Sequence, residues 1–89
     1  MNPDDIRAII LKHLHALVPG TAELEITGST TLAEIGADSL DLVDVASRSM
    51  QELKVKIPRS EIARIHTLDD LVGVLYRTVE TARANGQVI

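Results

Sequence analysis

The chain has no cysteine, no tryptophan and no phenylalanine, and Tyr76 is its one aromatic residue. Without cysteine it can build no disulfide framework, no zinc thiolate centre and no thiol nucleophile. Without large rings its core must be aliphatic, drawn from the Leu, Ile, Val and Ala that dominate its 45% apolar residues. No apolar run approaches membrane-spanning length, and the amino terminus lacks the basic-then-apolar pattern of a secretory signal. A soluble, cytoplasmic protein is the expectation. Basic residues are not in excess: 9 Lys and Arg stand against 13 Asp and Glu, a net charge of −4. Phosphate binding needs a basic stripe, so this balance counts against a nucleic-acid partner.

What is present is 89 residues, enough for one small domain with a single modest core. The charges are unevenly spread. Residues 1–37 carry five acids against Arg7 and Lys12, and residues 67–89 carry Asp69, Asp70 and Glu80 against Arg77 and Arg83. Residues 38–66 carry five of each sign and are neutral overall.

Asn2-Pro3-Asp4-Asp5 reads as a helix start, with Asn2 as cap and Pro3 at the first helical position. Ile6, Ile9, Ile10, Leu14 and Leu17 keep helical spacing until Pro19-Gly20 stops the element. No sustained period follows from Thr21 to Asp38. This is read as a long loop pinned to the core by Leu24, Ile26, Leu32 and Ile35, with one short helical turn near Leu32–Ile35. A second helix should begin at Ser39, capped by Asp38 with Asp41 three positions on, and fade near Lys54 before Ile57-Pro58. Its core stripe is Leu42, Val45, Ala46 and Leu53, with Leu40, Val43 and Met50 partly outside it. A short helix is expected over Ser60–Ile65. A last helix follows a Thr67 cap, with Leu68, Leu71, Val72, Leu75 and Val79 as its apolar face and Asn85-Gly86 as its end. The fold class is all-α: a small bundle of three main helices, one short helix and a long first loop.

Ser39 stands at the mouth of the second helix among acids, with no His, Lys or Cys close to it in sequence. Serine is common at helix starts, but Asp38 already fills the capping role and leaves this hydroxyl spare. A nucleophilic serine needs a base held by a third group. The surround is not G-x-S-x-G, and His13, His15 and His66 read as surface or rim residues. His13 and His15, two apart, point to different faces, which disfavours a metal pair. A serine modified by another enzyme needs exposure and a defined backbone, but no base of its own. A phosphate ester there would meet the positive helix end and the opposing charges of Asp38 and Asp41.

Gly36-Ala37-Asp38-Ser39-Leu40-Asp41 resembles the modification motif of acyl carrier proteins. The resemblance extends through "DSLDLVDVASRSMQEL", "VKIP" and "IHTLDDLVGVL", and with the first helix spans roughly residues 3–80. It implies a four-helix acyl-carrier bundle as a single domain over residues 1–89, with its core over about 3–80 and a short flexible C-terminal tail. It implies that Ser39 carries 4′-phosphopantetheine, transferred from coenzyme A by a phosphopantetheinyl transferase. The protein is then a non-catalytic, monomeric carrier of acyl thioesters for fatty-acid, polyketide or related acyl-lipid biosynthesis. Its partners would be the transferase and the acyl-loading and acyl-transfer enzymes. Carried over by position, Asp38, Leu40, Asp41, Val43 and Asp44 form the partner face.

The chain departs from the family farther along that helix. Ser47, Arg48, Ser49, Met50 and Gln51 stand where family members often have an apolar residue and a run of acids. Lys54, Lys56, Arg59 and Arg64 extend the basic character. Arg48 therefore joins the expected partner face, and the neutral middle third suggests a specialised carrier. Peptidyl carriers usually place Gly-His or similar before the serine, where this chain has Ala37-Asp38, which leans toward acyl cargo. A peptidyl or aminoacyl carrier and an unmodified helical adaptor remain the alternatives.

Overall fold

Each of the three long helices begins on a reciprocal cap contained within four residues. A computed structural model describes residues 2–31 and 33–84 and places helices at Pro3–Leu17 (α1), Ser39–Leu53 (α2), Arg59–Ile62 (α3) and Leu68–Ala84 (α4). At the start of α1 the Asn2 side chain accepts the Asp5 N–H at 2.9 Å, and Asp5 accepts the Asn2 N–H at 3.2 Å. Asp38 and Asp41 repeat the exchange at α2, and Thr67 and Asp70 at α4. These bonds satisfy amide groups that a helix start otherwise leaves orphaned. Asp70 also accepts the His66 N–H at 2.9 Å. That bond first, and those to Thr67 after it, hold its carboxyl below the usual aspartate range.

The apolar stripes fall where helical spacing puts them. α1 packs against both α2 and α4, and α2 packs against α4. Ile6, Ile10 and Leu14 of α1 are buried, as are Leu42, Val45, Ala46 and Leu53 of α2 and Leu68, Leu71, Val72, Leu75, Val79 and Ala82 of α4. Ile57, Ile62 and Ile65 close the core from the α2–α4 connection. No described helix is long and apolar enough to cross a membrane.

Three expectations need correction. The short helix spans Arg59–Ile62, not Ser60–Ile65. Arg64 and Ile65 donate to carbonyls three residues back, at 3.1 Å each, so the last turn tightens and the helix stops while Ile65 stays buried. The first loop, residues 18–38, holds two 3-10 turns, Thr21–Glu23 and Ala33–Ile35, where one was expected. Leu24 is no peg: it is 47% exposed. Its place is taken by Thr21, fully buried, whose hydroxyl donates to the Val18 carbonyl at 2.8 Å. Ile26 and Ile35 do pack against the core. Leu32, the Asn85-Gly86 end and the C-terminal tail lie outside the described residues.

The loop is strapped to the start of α4. The Asp69 N–H donates to the Gly28 carbonyl at 2.9 Å, the Leu68 N–H to Thr30 at 3.3 Å, and Thr31 pairs with Thr67 in an isolated antiparallel bridge. A Cβ at Gly28 would overlap the Asp69 carboxylate, so a larger residue there would push that side chain aside. Asp69 in turn holds Arg7 of α1 at 2.8 Å. One aspartate thereby joins α1, the loop and α4.

Candidate functional site

The chain reaches α2 through Gly36, whose φ of 76° is a left-handed conformation open to glycine at little cost. Its N–H donates to Ala33 at 3.2 Å, closing the preceding 3-10 turn. Ala37 is then buried, and Asp38 turns the chain into the helix with extended backbone, φ −108° and ψ −174°. Asp38 accepts the Asp41 N–H at 2.9 Å through Oδ1, and Asp41 accepts the Asp38 N–H at 3.1 Å through Oδ2. Ser39 sits between them at the first helical position and is exposed. The cap uses the carboxylates on either side and leaves the serine hydroxyl out.

Beside Ser39 the surface is apolar. Leu40 is 73% exposed and Val43 41% exposed, three positions apart on one face. Leaving such side chains in water forgoes the stabilisation that burial would bring. Farther along, Asp44 and Arg48 are exposed and line a shallow groove between α1 and α2 with His13 and Glu52. Glu52 accepts from Lys12 at 2.6 Å and meets His13 Nε2 at 2.9 Å. The Lys12 bond first, then His13, keeps the Glu52 carboxyl below the usual glutamate range. The acid nearest the end of α2 is therefore tied back to α1. Of the expected partner face, Leu40, Val43, Asp44 and Arg48 stand free, while Asp38 and Asp41 each give one oxygen to the cap.

Under the start of α2 lies a cavity of about 20 Å³ lined by Ile10, Leu14, Ile35, Ala37, Leu42 and Leu71, with Asp41 at its edge. That is room for roughly one water molecule. Among the described residues no hydrolytic arrangement forms around Ser39. His13 is engaged by Glu52, His15 Nδ1 lies 3.1 Å from the Thr21 hydroxyl, and His66 is exposed before α4. Among the described residues no group of three or more His, Cys, Asp or Glu is placed to hold a metal.

The sequence reading missed Ser49 and the Asp69 latch. Ser49 is fully buried, and its hydroxyl has no hydrogen-bond partner among the described residues. The spacing 42, 45, 46, 49, 53 does put it on the core stripe, but the polar residue type masked that signal. The Arg7–Asp69 pair spans 62 positions and has no local signature.

The residues fit a covalent arm. The Ser39 hydroxyl is exposed and outside the cap, and the first-turn N–H groups of Ser39 and Leu40 lie between the two amides that the cap satisfies, those of Asp38 and Asp41. Those groups and the positive helix end suit the phosphate of an ester.

Comparison with known proteins points the same way. The family model for the phosphopantetheine attachment site matches residues 5–75. The chain is similar to the polyketide biosynthesis acyl-carrier-protein AcpK of Bacillus subtilis (strain 168), 27% identical over 82 residues, covering 92% of this chain and 100% of that protein. It is 29% identical to an acyl carrier protein of Campylobacter concisus (strain 13826) over 72 residues, covering 81% of this chain and 88% of that one. Among solved structures it resembles the acetyl actinorhodin acyl carrier protein of Streptomyces coelicolor, with a TM-score of 0.68 at 24% identity, a likeness of fold. A 3-oxo-butyl carrier from the actinorhodin polyketide synthase of the same organism gives a TM-score of 0.71 at 26% identity. Each covers 92% of this chain and is itself covered to 94%.

Proposed function

The chain belongs to the phosphopantetheine-attachment-site family, the acyl carrier proteins, and from that premise we propose that Ser39 is its attachment residue. The 4′-phosphopantetheine group of this family supplies, when bound, a terminal thiol on a flexible arm that holds acyl groups as thioesters. The protein does no chemistry of its own on the cargo. A separate phosphopantetheinyl transferase installs the group from coenzyme A, which is why Ser39 has no base beside it.

The observation that carries this reading is the exposed hydroxyl held between two capping aspartates. The cap fixes the backbone on either side of Ser39, so a transferase meets one defined conformation. Leu40 and Val43 offer that enzyme an apolar contact beside the reacting atom, and Asp44 and Arg48 extend the face. The service is a specialised acyl pathway, of the polyketide or related acyl-lipid kind. Two of the similar proteins bear polyketide names, and the basic end of α2 departs from a uniformly acidic carrier face. Acyl cargo is favoured over aminoacyl cargo because Ala37-Asp38 precedes the serine and the relatives named are acyl carriers.

Intact mass tests the assignment. Wild type incubated with transferase and coenzyme A should gain one phosphopantetheine, and Ser39→Ala should gain none. A modified Ala variant would move the site elsewhere. A wild type that stays at its sequence mass would favour the unmodified adaptor.

A further inference from the structure

The cations of this chain divide into two sets. Arg7, Lys12 and Arg83 each lie within ion-pair distance of a carboxylate. Arg48, Lys54, Lys56, Arg59, Arg64 and Arg77 do not, among the described residues, and all of them fall between the middle of α2 and the middle of α4. Three of the six, Lys54, Lys56 and Arg77, line one open groove between the end of α2, the segment after it and α4. Glu61 is the single acid on its lining, and half-buried Met50 and Val74 form apolar parts of the wall. Arg48 lies on a different groove, with Asp44 and His13.

The backbone at Lys54 adds a second observation. Lys54 has φ 58° and ψ 42°, the one non-glycine residue with positive φ among those described. Its N–H donates to Gln51 at 3.3 Å, and the Val55 N–H donates to Met50 at 3.1 Å. This is the double bond pattern that ends many helices, in which the left-handed position is usually glycine. A lysine there gives up backbone comfort and keeps an ammonium group at the groove. The Ile57 N–H donates to the Met50 sulfur at 3.0 Å, which pins the segment bearing Lys56 against the same wall.

We propose that the groove between the end of α2 and α4 is a second docking surface, and that its occupant is an acidic, leucine-containing segment of a partner protein. Carboxylates of such a segment would meet Lys54, Lys56 and Arg77, and its aliphatic side chains would lie on Met50 and Val74. The apolar wall favours a peptide over a phosphate-bearing surface, and the chain's net charge of −4 opposes any extended polyanion. Lys54 lies fifteen positions beyond Ser39, roughly 22 Å along the helix. A partner seated in the groove leaves the serine end open, so one protein can stay tethered while others visit the arm. Tethering of this kind raises effective concentration without new contacts at the reacting end.

The test uses the full chain and a short fluorescein-labelled peptide of glutamate and leucine, with a glutamine-for-glutamate peptide as control. Fluorescence anisotropy should show binding of the acidic peptide only. The groove variant Lys54→Gln/Arg77→Gln should weaken it roughly tenfold, while the charge-matched Arg59→Gln/Arg64→Gln should change it less than about twofold. Lys54→Gly gives a variant that folds at least as well as wild type: it should melt at a higher temperature and still bind more weakly. Equal weakening by the two charge-matched variants would overturn the proposal in favour of diffuse electrostatics. So would an absence of binding, or unchanged binding by Lys54→Gly. Self-association in sedimentation velocity that Lys54→Gln/Arg77→Gln abolishes would make the occupant a second copy of this chain and overturn it too.

Discussion

At the N-terminal end of α2, two aspartates close a reciprocal cap around an exposed serine, and the surface beyond is leucine and valine. At the C-terminal end, a lysine occupies a left-handed turn, and the surface beyond is Lys56, Arg77 and the side of Met50. Both charge patterns suit the helix dipole, with acids at its positive end and a cation at its negative end. Charge of that kind is what folding alone would select. Leu40 at 73% exposure and Lys54 at φ 58° are not. Each end carries one feature that folding does not explain, and each feature lies at a surface proposed above for docking. On those proposals, it is the departures from the most stable choice, and not the charge, that mark the two ends.

The sharpest break in this comparison comes from two neighbours at the serine end. Leu42 is 7% exposed and Val43 41% exposed. Leu42→Ala should cost about 2–5 kcal/mol in urea unfolding, because a core leucine leaves a cavity when truncated. Val43→Glu should stay within about 0.5 kcal/mol of wild type while slowing installation of the arm on Ser39. Loss of the helical circular dichroism signal in Val43→Glu would place Val43 in the core and remove the distinction.

The cap ranks next. Asp38→Ala should lower stability by about 1 kcal/mol, since it leaves the Asp41 N–H without its acceptor. At the other end the sign reverses. Lys54→Gly should raise stability by about 0.5–1 kcal/mol, the left-handed penalty of an L-residue less the greater freedom of glycine when unfolded. Matched urea titrations of the two variants read both ends of one helix. A destabilised Lys54→Gly would show that the lysine is there for the fold. The smallest effect concerns Arg48, between the two ends. Arg48→Glu should speed loading of the modified protein by a ligase adapted to acidic carriers, and more at low salt than at high. Equal initial rates at low salt would make Arg48 an ordinary solvated side chain.

How much of this was legible beforehand depends on distance along the chain. Helix starts at Pro3, Ser39 and Leu68 were readable because their caps lie within four residues of one another. The short helix was misjudged at its C-terminal end, where Arg64 and Ile65 change from four-residue to three-residue bonds without any residue that announces it. Leu24 was misplaced because a loop has no period, and the anchor turned out to be a threonine bonded to its own turn.

What the sequence by itself determined is therefore local: the three long helices, the aliphatic stripes that unite them, and a serine made spare by the aspartate before it. Each follows from hydrogen bonds and periodicities that span a turn or two of chain. The tertiary structure alone decided which charges are free. Lys12 and His13 of α1 draw Glu52 back from the end of α2, and Arg7 takes Asp69 from across the bundle. Lys54, Lys56 and Arg77 meet on one groove although Arg77 lies on another helix. Pairing of that kind is set by which faces pack together, and packing brings together residues whose separation in sequence carries no trace of it.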